Sequence, residues 1–117
     1  MKYSEVIIRL NIRRETPADY EEIYAMVKKS FAKAVYSDGT EADYLDNLRT
    51  KATFIPELSL LAAEDDIIIG QIVLSKTAVK LQNERLIELV ISPLSVHPNY
   101  FRRGIATALV EAGLKRA

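Results

Sequence analysis

Two arginines and a glycine near residue 104 of this 117-residue chain form a pattern that could bind phosphate groups. They belong to the stretch HPNYFRRGIA at 97–106, between a strand-like run and a helix-like run. A helix N-terminus leaves backbone N–H groups unpaired and carries partial positive charge, and Gly104 would let a ligand approach those donors. Arg102 and Arg103 add formal charge beside them. The turn could therefore cradle a pyrophosphate.

The same residues also fit a simpler interpretation. The turn could be a polar strand-to-helix connection in which Gly104 only relieves backbone strain, and local sequence alone favours this alternative. The sequence contains neither the P-loop pattern Gly-x-x-x-x-Gly-Lys-Ser/Thr nor a Gly-x-Gly-x-x-Gly fingerprint after the first strand. The choice therefore depends on the elements around the turn.

Composition argues against several other kinds of site. The sequence has no cysteine and a single histidine, His97, which excludes disulfides, Cys-ligated zinc and a His-rich metal site. Sixteen basic and sixteen acidic residues cancel, which argues against a general attraction to nucleic acid or an anionic membrane. No apolar run approaches the roughly 20 residues of a membrane span, and charges interrupt the N-terminal segment. We expect a soluble, cytoplasmic protein without a metal centre.

Two helices are predicted in the first half of the chain, after a β-branched strand at 5–14. Thr16 and Asp19 form a capping-box pattern ahead of the first helix, and apolar residues recur at helical spacing over 20–31. Thr40 begins a second, shorter helix after an Asp-Gly turn. Its predicted apolar face consists of Tyr44, Leu45 and Leu48.

The hydrophobic period then changes to that of a β-sheet. Residues 57–64 and 67–80 predict two antiparallel strands, joined by a tight turn at Asp65–Asp66. Gly70 lies within the second of these strands, where glycine is typical of a bulge or of a close approach by another backbone.

A last strand and a last helix flank the arginine turn. The strand is predicted at about 85–96, where Pro93 cannot donate to a ladder and indicates a bulge or an edge. The helix that follows has an apolar face made of Ile105, Leu109 and Ala112. The order β-α-α-β-β-β-α predicts an α/β fold of the α+β type, with a mostly antiparallel four-stranded sheet flanked by helices.

The segment from the last strand to the last helix resembles the coenzyme A-binding motif of the GNAT N-acetyltransferases. That family's pattern is an apolar strand ending in Val-x-Pro, a short loop, Gln/Arg-x-x-Gly-x-Gly/Ala and an amphipathic helix. Here Val96-His97-Pro98 closes the strand, and Gly104 and Ala106 take the two glycine positions. Phe101 departs from the pattern, since the family has Gln or Arg there. The segments EADYLDNLR and PLSVHP are similar to the family's branch of predicted small-molecule acetyltransferases.

The resemblance implies an acyl-CoA N-acyltransferase fold and acetyl transfer from acetyl-CoA, as co-substrate, to a primary amine of a small molecule or peptide. It implies that backbone amides after the bulge of the last strand hold the pantetheine arm and polarise the thioester carbonyl. The implied cofactor-binding residues are Leu94, Ser95, Val96, Phe101, Arg102, Arg103, Gly104, Ile105, Ala106 and Thr107.

The resemblance also implies that 1–117 is one domain, truncated after its third helix. The family has further strands beyond this helix, and they carry its usual general acid, a tyrosine. Without them the last strand is left as an unpaired edge, which is an association hazard. We therefore expect a homodimer that covers this strand or the third helix.

Glu88, on the last strand, is the candidate for the base that removes a proton from the amine. The simpler interpretation is an outward-facing strand carboxylate. Ser92 and Ser95 lack a triad partner, which disfavours a serine hydrolase. Two other functions stay open: a non-catalytic coenzyme A-binding or interaction module with the same fold, and a nucleic-acid binder, against which the balanced charge argues.

Overall fold

The computed structural model describes residues 10–35, 37–81 and 84–117, and within them the side chains outside 76–93. The helices and strands follow one another as β1 (Leu10–Arg14), α1 (Tyr20–Phe31), α2 (Glu41–Leu48), β2 (Phe54–Glu64), β3 (Ile67–Leu81), β4 (Glu84–Val96) and α3 (Ile105–Arg116). The predicted order of elements is confirmed. Residues 5–9 of the predicted first strand lie outside the described residues.

The four strands form one antiparallel sheet, as the sequence predicts, and the structure gives their order as β1-β2-β3-β4. The tight turn between β2 and β3 is present at Asp65–Asp66. Both residues have positive φ angles, of 50° and 67°, which is the geometry of a two-residue hairpin whose twist matches that of its strands.

Gly70 marks both a bulge and a close approach. Ala62 pairs with Gly70, but the next residue of β2 pairs with Ile68, so β3 carries one extra residue there. A Cβ atom at Gly70 would lie 2.9 Å from Leu109 Cδ1 and 3.2 Å from the carbonyl oxygen of Ser95. Glycine therefore lets α3 lie close against the sheet.

A second bulge lies where Pro93 predicts one. Ile72 pairs with Leu94 and Leu74 pairs with Ile91, so Ser92–Pro93 of β4 opposes a single residue of β3. The missing N–H of proline is tolerated at such a site because a ladder bond is interrupted there in any case.

Helices α1 and α2 cover one face of the sheet. Ile23 and Val27 of α1 and Leu45 of α2 are buried against Leu61 and Val73. Tyr44 is not on the apolar face of α2, as predicted, but has half of its surface (50%) exposed. A hydroxyl-bearing ring tolerates a wet site, and it is Ala42, not Tyr44, that is buried with Leu45 and Leu48.

Helix α3 covers the opposite face. Ile105 and Leu109 are buried against Leu60, Ile72 and Leu74, while Ala112 is only partly buried. Gly113 is buried instead. It lies so close to the sheet that a Cβ at this position would be 2.5 Å from a methyl group of Leu74, which explains the glycine. Over the described residues, no helix is long and apolar enough to cross a membrane.

The start of α1 follows the predicted capping pattern, with one difference. The N–H of Thr16 donates to Asp19 Oδ2 at 2.8 Å, and Arg13 donates to both carboxylate oxygens of Asp19 at 2.9 Å. Hydrogen bonds from Arg13, and then from Thr16, hold the pKa of Asp19 far below its usual value. Pro17–Asp19 forms a 3-10 turn, so the α-helix itself begins at Tyr20.

Candidate functional site

A pocket of about 720 Å³ opens between the C-terminal end of α1, the end of β4 and the start of α3. Most of the residues that the family resemblance implies for cofactor binding line it, namely Leu94, Val96, Phe101, Arg102, Gly104, Ile105, Ala106 and Thr107. Lys29, Ser30 and Lys33 of α1 and its C-terminal extension line the opposite wall. The structure thus places the arginine turn and the last residues of β4 around one cavity.

The start of α3 offers unpaired donors to this pocket. Gly104 precedes the helix with a φ of 77°, in the left-handed region, and no side chain caps the helix. The first helical bond runs from Ala108 N to Gly104 O at 3.0 Å. Over the described part of the chain, the backbone N–H groups of Ile105, Ala106 and Thr107 have no acceptor. They are the free donors that the first turn of a helix leaves.

The two arginines of the turn have different surroundings. Arg102 is exposed at the pocket and has a φ of 65°, unusual for a residue with a side chain. Arg103 does not line the pocket, because its guanidinium lies 3.0 Å from Glu64 of β2 and over the ring of Tyr100. Arg102 is therefore the arginine with a side chain placed to meet a ligand.

Two further cations line the pocket that sequence reasoning did not find. Lys29 is in the last turn of α1, and Lys33 is in the turn two residues beyond its end. With Arg102 they give the wall three positive charges, and no carboxylate is among its described lining residues. Their spacing was visible in the sequence, but the position of this helix end against β4 was not. The described lining therefore has a net positive charge, which would attract an anion.

The backbone of β4 presents its outer edge to the pocket. His97 N donates to Ile69 O of β3 at 2.7 Å. Because N–H groups alternate in direction along an antiparallel strand, the N–H of Val96 points away from β3. It donates to Ser30 Oγ at 3.2 Å. The same alternation turns the N–H of Leu94 outward.

The remaining sequence candidates do not reach the pocket with described side chains. Ser95 is buried on the α1–α2 side of the sheet opposite Gln71, so only its backbone borders the β4 edge. Glu88 pairs with Thr77 through the backbone, but its side chain lies outside the described part, so its role as a base stays a prediction. His97 caps the 3-10 turn at Pro98–Tyr100, with Nδ1 accepting from Asn99 N at 3.1 Å.

A buried polar network lies under α2 and away from the pocket lining. Arg49 donates to both oxygens of Glu15 at 2.8 Å and stacks over the ring of Tyr20. Burial lowers the pKa of Arg49, but the hydrogen bonds and charge of Glu15 outweigh it and the net shift is upward. Gln71 donates to Glu15 at 3.3 Å and to Ser59 at 3.2 Å. This network joins α2 to the sheet.

Comparison with known proteins decides the family. The family model described as "Acetyltransferase (GNAT) domain" matches residues 11–117. The chain belongs to the GNAT acetyltransferase family. The resemblance read from the β4–α3 segment is therefore confirmed, and with it the GNAT fold. A search of curated proteins found no match.

Solved structures of other GNAT proteins are similar to this one. A GNAT acetyltransferase from Brucella melitensis, in complex with acetyl-CoA, has 29% identity and a TM-score of 0.79 over 91% of this chain and 66% of its own. A GNAT N-acetyltransferase from Escherichia coli, in complex with CoA, has 30% identity and a TM-score of 0.73 over 92% of this chain and 55% of its own.

An aminoglycoside acetyltransferase from an uncultured soil metagenomic sample, in complex with sisomicin, has the same fold at 19% identity, with a TM-score of 0.61 over 94% of this chain and 70% of its own. This chain thus spans 66% and 55% of the lengths of its Brucella and Escherichia relatives.

Proposed function

We propose that this GNAT chain binds acetyl-CoA in the pocket and transfers the acetyl group to a primary amine of a small molecule or peptide. The observation that carries the proposal is the open start of α3. Its three free backbone N–H groups border a cavity that is also lined by three cations. The acetyl-CoA and CoA complexes of the Brucella and Escherichia relatives support this choice of ligand.

The residues at the start of α3 fit the phosphate end of coenzyme A. Its pyrophosphate and 3′-phosphate carry several negative charges, which the helix N-terminus and Arg102 would attract. Gly104 leaves the approach to the N–H groups of Ile105 and Ala106 without a side chain in the way. Lys29 and Lys33 add positive charge on the facing wall.

The outer edge of β4 fits the pantetheine arm. The arm is a chain of two amides, and the outward N–H of Leu94 lies on an edge that β3 does not use. The side chains of Leu94 and Val96 line the same cavity with apolar surface. The bulge at Ser92–Pro93 and the strand edge together would hold the arm extended along β4.

When bound, acetyl-CoA supplies an acetyl group activated as a thioester. The amine nitrogen forms a bond to the acetyl carbon, the C–S bond breaks, and the proton lost by the amine ends on the coenzyme A sulfur. Fixed N–H donors on β4 would polarise the carbonyl oxygen, where negative charge develops in the transition state. Glu88 is proposed as the group that takes the proton from the amine, directly or through water.

Calorimetry with CoA and acetyl-CoA, followed by a thiol-release assay with a panel of amines, tests the proposal. We expect binding of both ligands and thiol release that depends on an amine, while adenosine, which lacks phosphate, does not bind. Binding of CoA without amine-dependent thiol release would favour the second candidate function, a non-catalytic coenzyme A-binding module. If neither ligand binds, both functions are wrong.

A homodimer is part of the proposal. Among the described strands, β4 pairs with β3 only, so a second copy could cover α3 or the part of the β4 edge before the bulge, while the edge at Leu94–Val96 stays with the ligand. Sedimentation in dilute buffer without ligand measures this directly. We expect a two-fold dimer, and a monodisperse monomer would contradict the assembly without affecting the proposed chemistry.

A further inference from the structure

Two buried polar side chains in the sheet each keep one atom without a hydrogen-bond partner. Gln71 of β3 and Ser95 of β4 are 0% and 1% exposed. Within the described part of the chain, neither Gln71 Oε1 nor Ser95 Oγ has a hydrogen-bond partner. An unpaired polar atom in a protein interior costs free energy, and native structures nearly always supply a partner for it.

The two atoms belong to neighbouring residues on one face of the sheet. Gln71 and Ser95 are directly paired between β3 and β4, and paired residues of antiparallel strands point to the same face. That face lies beneath α1 and α2, because Leu61, which pairs with Gln71 from β2, is buried in the same cluster as Ile23 and Val27 of α1. The two unpaired atoms therefore lie in one buried region.

The hydrogen bonds of Gln71 determine which end of its amide is free. Its Nε2 donates to Glu15 Oε1 at 3.3 Å and to Ser59 Oγ at 3.2 Å, both on the β1 and β2 side of the residue. Because an ionised carboxylate only accepts, the amide nitrogen must face Glu15, and the oxygen occupies the other branch of the amide. Ser95 lies on that other side, since β2 and β4 flank β3 on opposite sides.

From this geometry we infer that Gln71 and Ser95 form an internal binding site for one water molecule. The water donates a hydrogen bond to Gln71 Oε1 and accepts one from the hydroxyl of Ser95, which gives it two of the two to four polar partners that a buried water has. The bridge extends the network of Arg49, Glu15 and Gln71 to β4. Polar contacts then cross the buried face of the sheet from the end of β1 to β4.

The bridge holds the end of β4 in register with β3. The bulge at Ser92–Pro93 interrupts the ladder just before this point, and a slip by one residue would turn every following side chain to the other face. Leu94 or Val96 would then stand opposite Gln71 and leave its buried oxygen unpaired. The outward direction of the N–H groups at the pocket edge depends on the same register.

A crystal structure and NMR spectra of the full chain without ligand test the inference, so the result does not depend on the proposed function. We expect a water at about 2.7–3.2 Å from both Gln71 Oε1 and Ser95 Oγ in the electron density. In solution, the side-chain NH₂ protons of Gln71 should show NOE and ROE cross-peaks of opposite sign to water, which is the signature of a long-lived bound molecule.

Ser95→Ala and Gln71→Met remove the two partners of the water, and Ser59→Ala is the matched control. Ser59→Ala removes a hydroxyl from the same network but leaves both partners in place, so the water cross-peaks should remain. In Ser95→Ala they should disappear, and Tm should fall by about 3–8 °C because Gln71 Oε1 is left unpaired. The double variant Gln71→Met/Ser95→Ala should lose less Tm than the two single losses together, since no unpaired atom remains.

A direct hydrogen bond between Gln71 and Ser95 in the crystal structure overturns the inference. Water cross-peaks that persist in Ser95→Ala, or Tm losses that add in the double variant, also overturn it. Failure of the parent to bind CoA would refute the proposed function and leave the water site intact.

Discussion

The two long helices of the molecule, α1 and α3, each have 12 residues but begin in opposite ways. Ahead of α1, the carboxylate of Asp19 accepts from Thr16 N and is held by two hydrogen bonds from Arg13. Ahead of α3, Gly104 has no side chain, and no capping bond closes the helix. Neither helix has a side-chain cap bond, but the start of α1 is closed by a 3-10 turn whose carbonyls accept from Asp19 N and Tyr20 N, whereas the start of α3 is open.

The difference shows how the same physical problem has two solutions. Every helix begins with N–H groups that lack partners within the helix, and side chains, a 3-10 turn, water or a ligand can accept from them. Ahead of α1 a 3-10 turn provides backbone acceptors: Asp19 N donates to Thr16 O, Tyr20 N donates to Pro17 O, and Pro17 itself has no N–H. At α3 the nearby side chains are cations instead. They cannot accept from the free N–H groups, but they would attract an anion that can. The residues ahead of a helix therefore decide whether its first N–H groups stay available to a ligand.

The largest effect is expected from closing the open start. Gly104→Asp should lower affinity for CoA about a hundredfold or more, since a carboxylate would cap the helix and repel the phosphates. The fold should survive because aspartate tolerates the left-handed φ of this position. Calorimetry and thermal melting measure the two effects.

Gly104→Asn is the matched control, since it caps the helix without adding charge. If Gly104→Asn loses less affinity for CoA than Gly104→Asp, the difference between the two variants measures charge repulsion. Parental affinity in Gly104→Asp would show that phosphates are not bound at α3.

Opening the closed start should affect stability and not binding. Asp19→Ala should reduce the free energy of unfolding by about 1–2 kcal/mol, because it removes the acceptor of Thr16 N and the anionic partner of Arg13. Urea unfolding measures this change, and calorimetry should give CoA affinity equal to that of the parent. A large loss of affinity in this folded variant would mean that the two helix starts are coupled.

The closed start also predicts a pH dependence. Because the folded pKa of Asp19 is depressed, its contribution is complete above the ordinary aspartate pKa of about 3.9 and is lost as pH falls toward the folded value. The difference in unfolding free energy between the parent and Asp19→Asn should therefore be largest near neutrality and shrink below about pH 4. A difference that stays constant down to pH 2.5 would contradict this assignment.

The smallest effect is expected at the arginines. Arg102→Ala should weaken CoA binding about two- to fivefold at low salt, since the side chain is exposed, and the loss should shrink as salt screens the contact. Arg103→Ala should change affinity less, because the guanidinium is already paired with Glu64. Calorimetry at two ionic strengths tests both, and equal losses would show that Arg103 leaves Glu64 to bind phosphate.

Sequence reasoning predicted the features that are encoded locally. The capping box at Thr16, the turn at Asp65–Asp66 and the bulges at Gly70 and Pro93 each depend on residues close in the chain. The β4–α3 motif is equally local, which is why the family could be recognised from it.

Features that depend on tertiary packing were missed. Ser30 meets Val96 across 66 residues, and Glu15 meets Arg49 across 34. Neither pair forms a sequence pattern, because the contacts follow from how α1 and α2 lie on the sheet. Tyr44 was misplaced for a related reason, since helical spacing alone does not say where the apolar face of a short helix ends.

The positive φ of Arg102 sets stability against the cofactor role proposed for this side chain. A residue with a side chain in the left-handed region costs about 1 kcal/mol relative to glycine. Directed evolution for heat resistance would therefore favour glycine at this position, whereas selection on cofactor use would restore the arginine. Thermostable variants of this chain that keep Arg102 must gain their stability elsewhere in the fold.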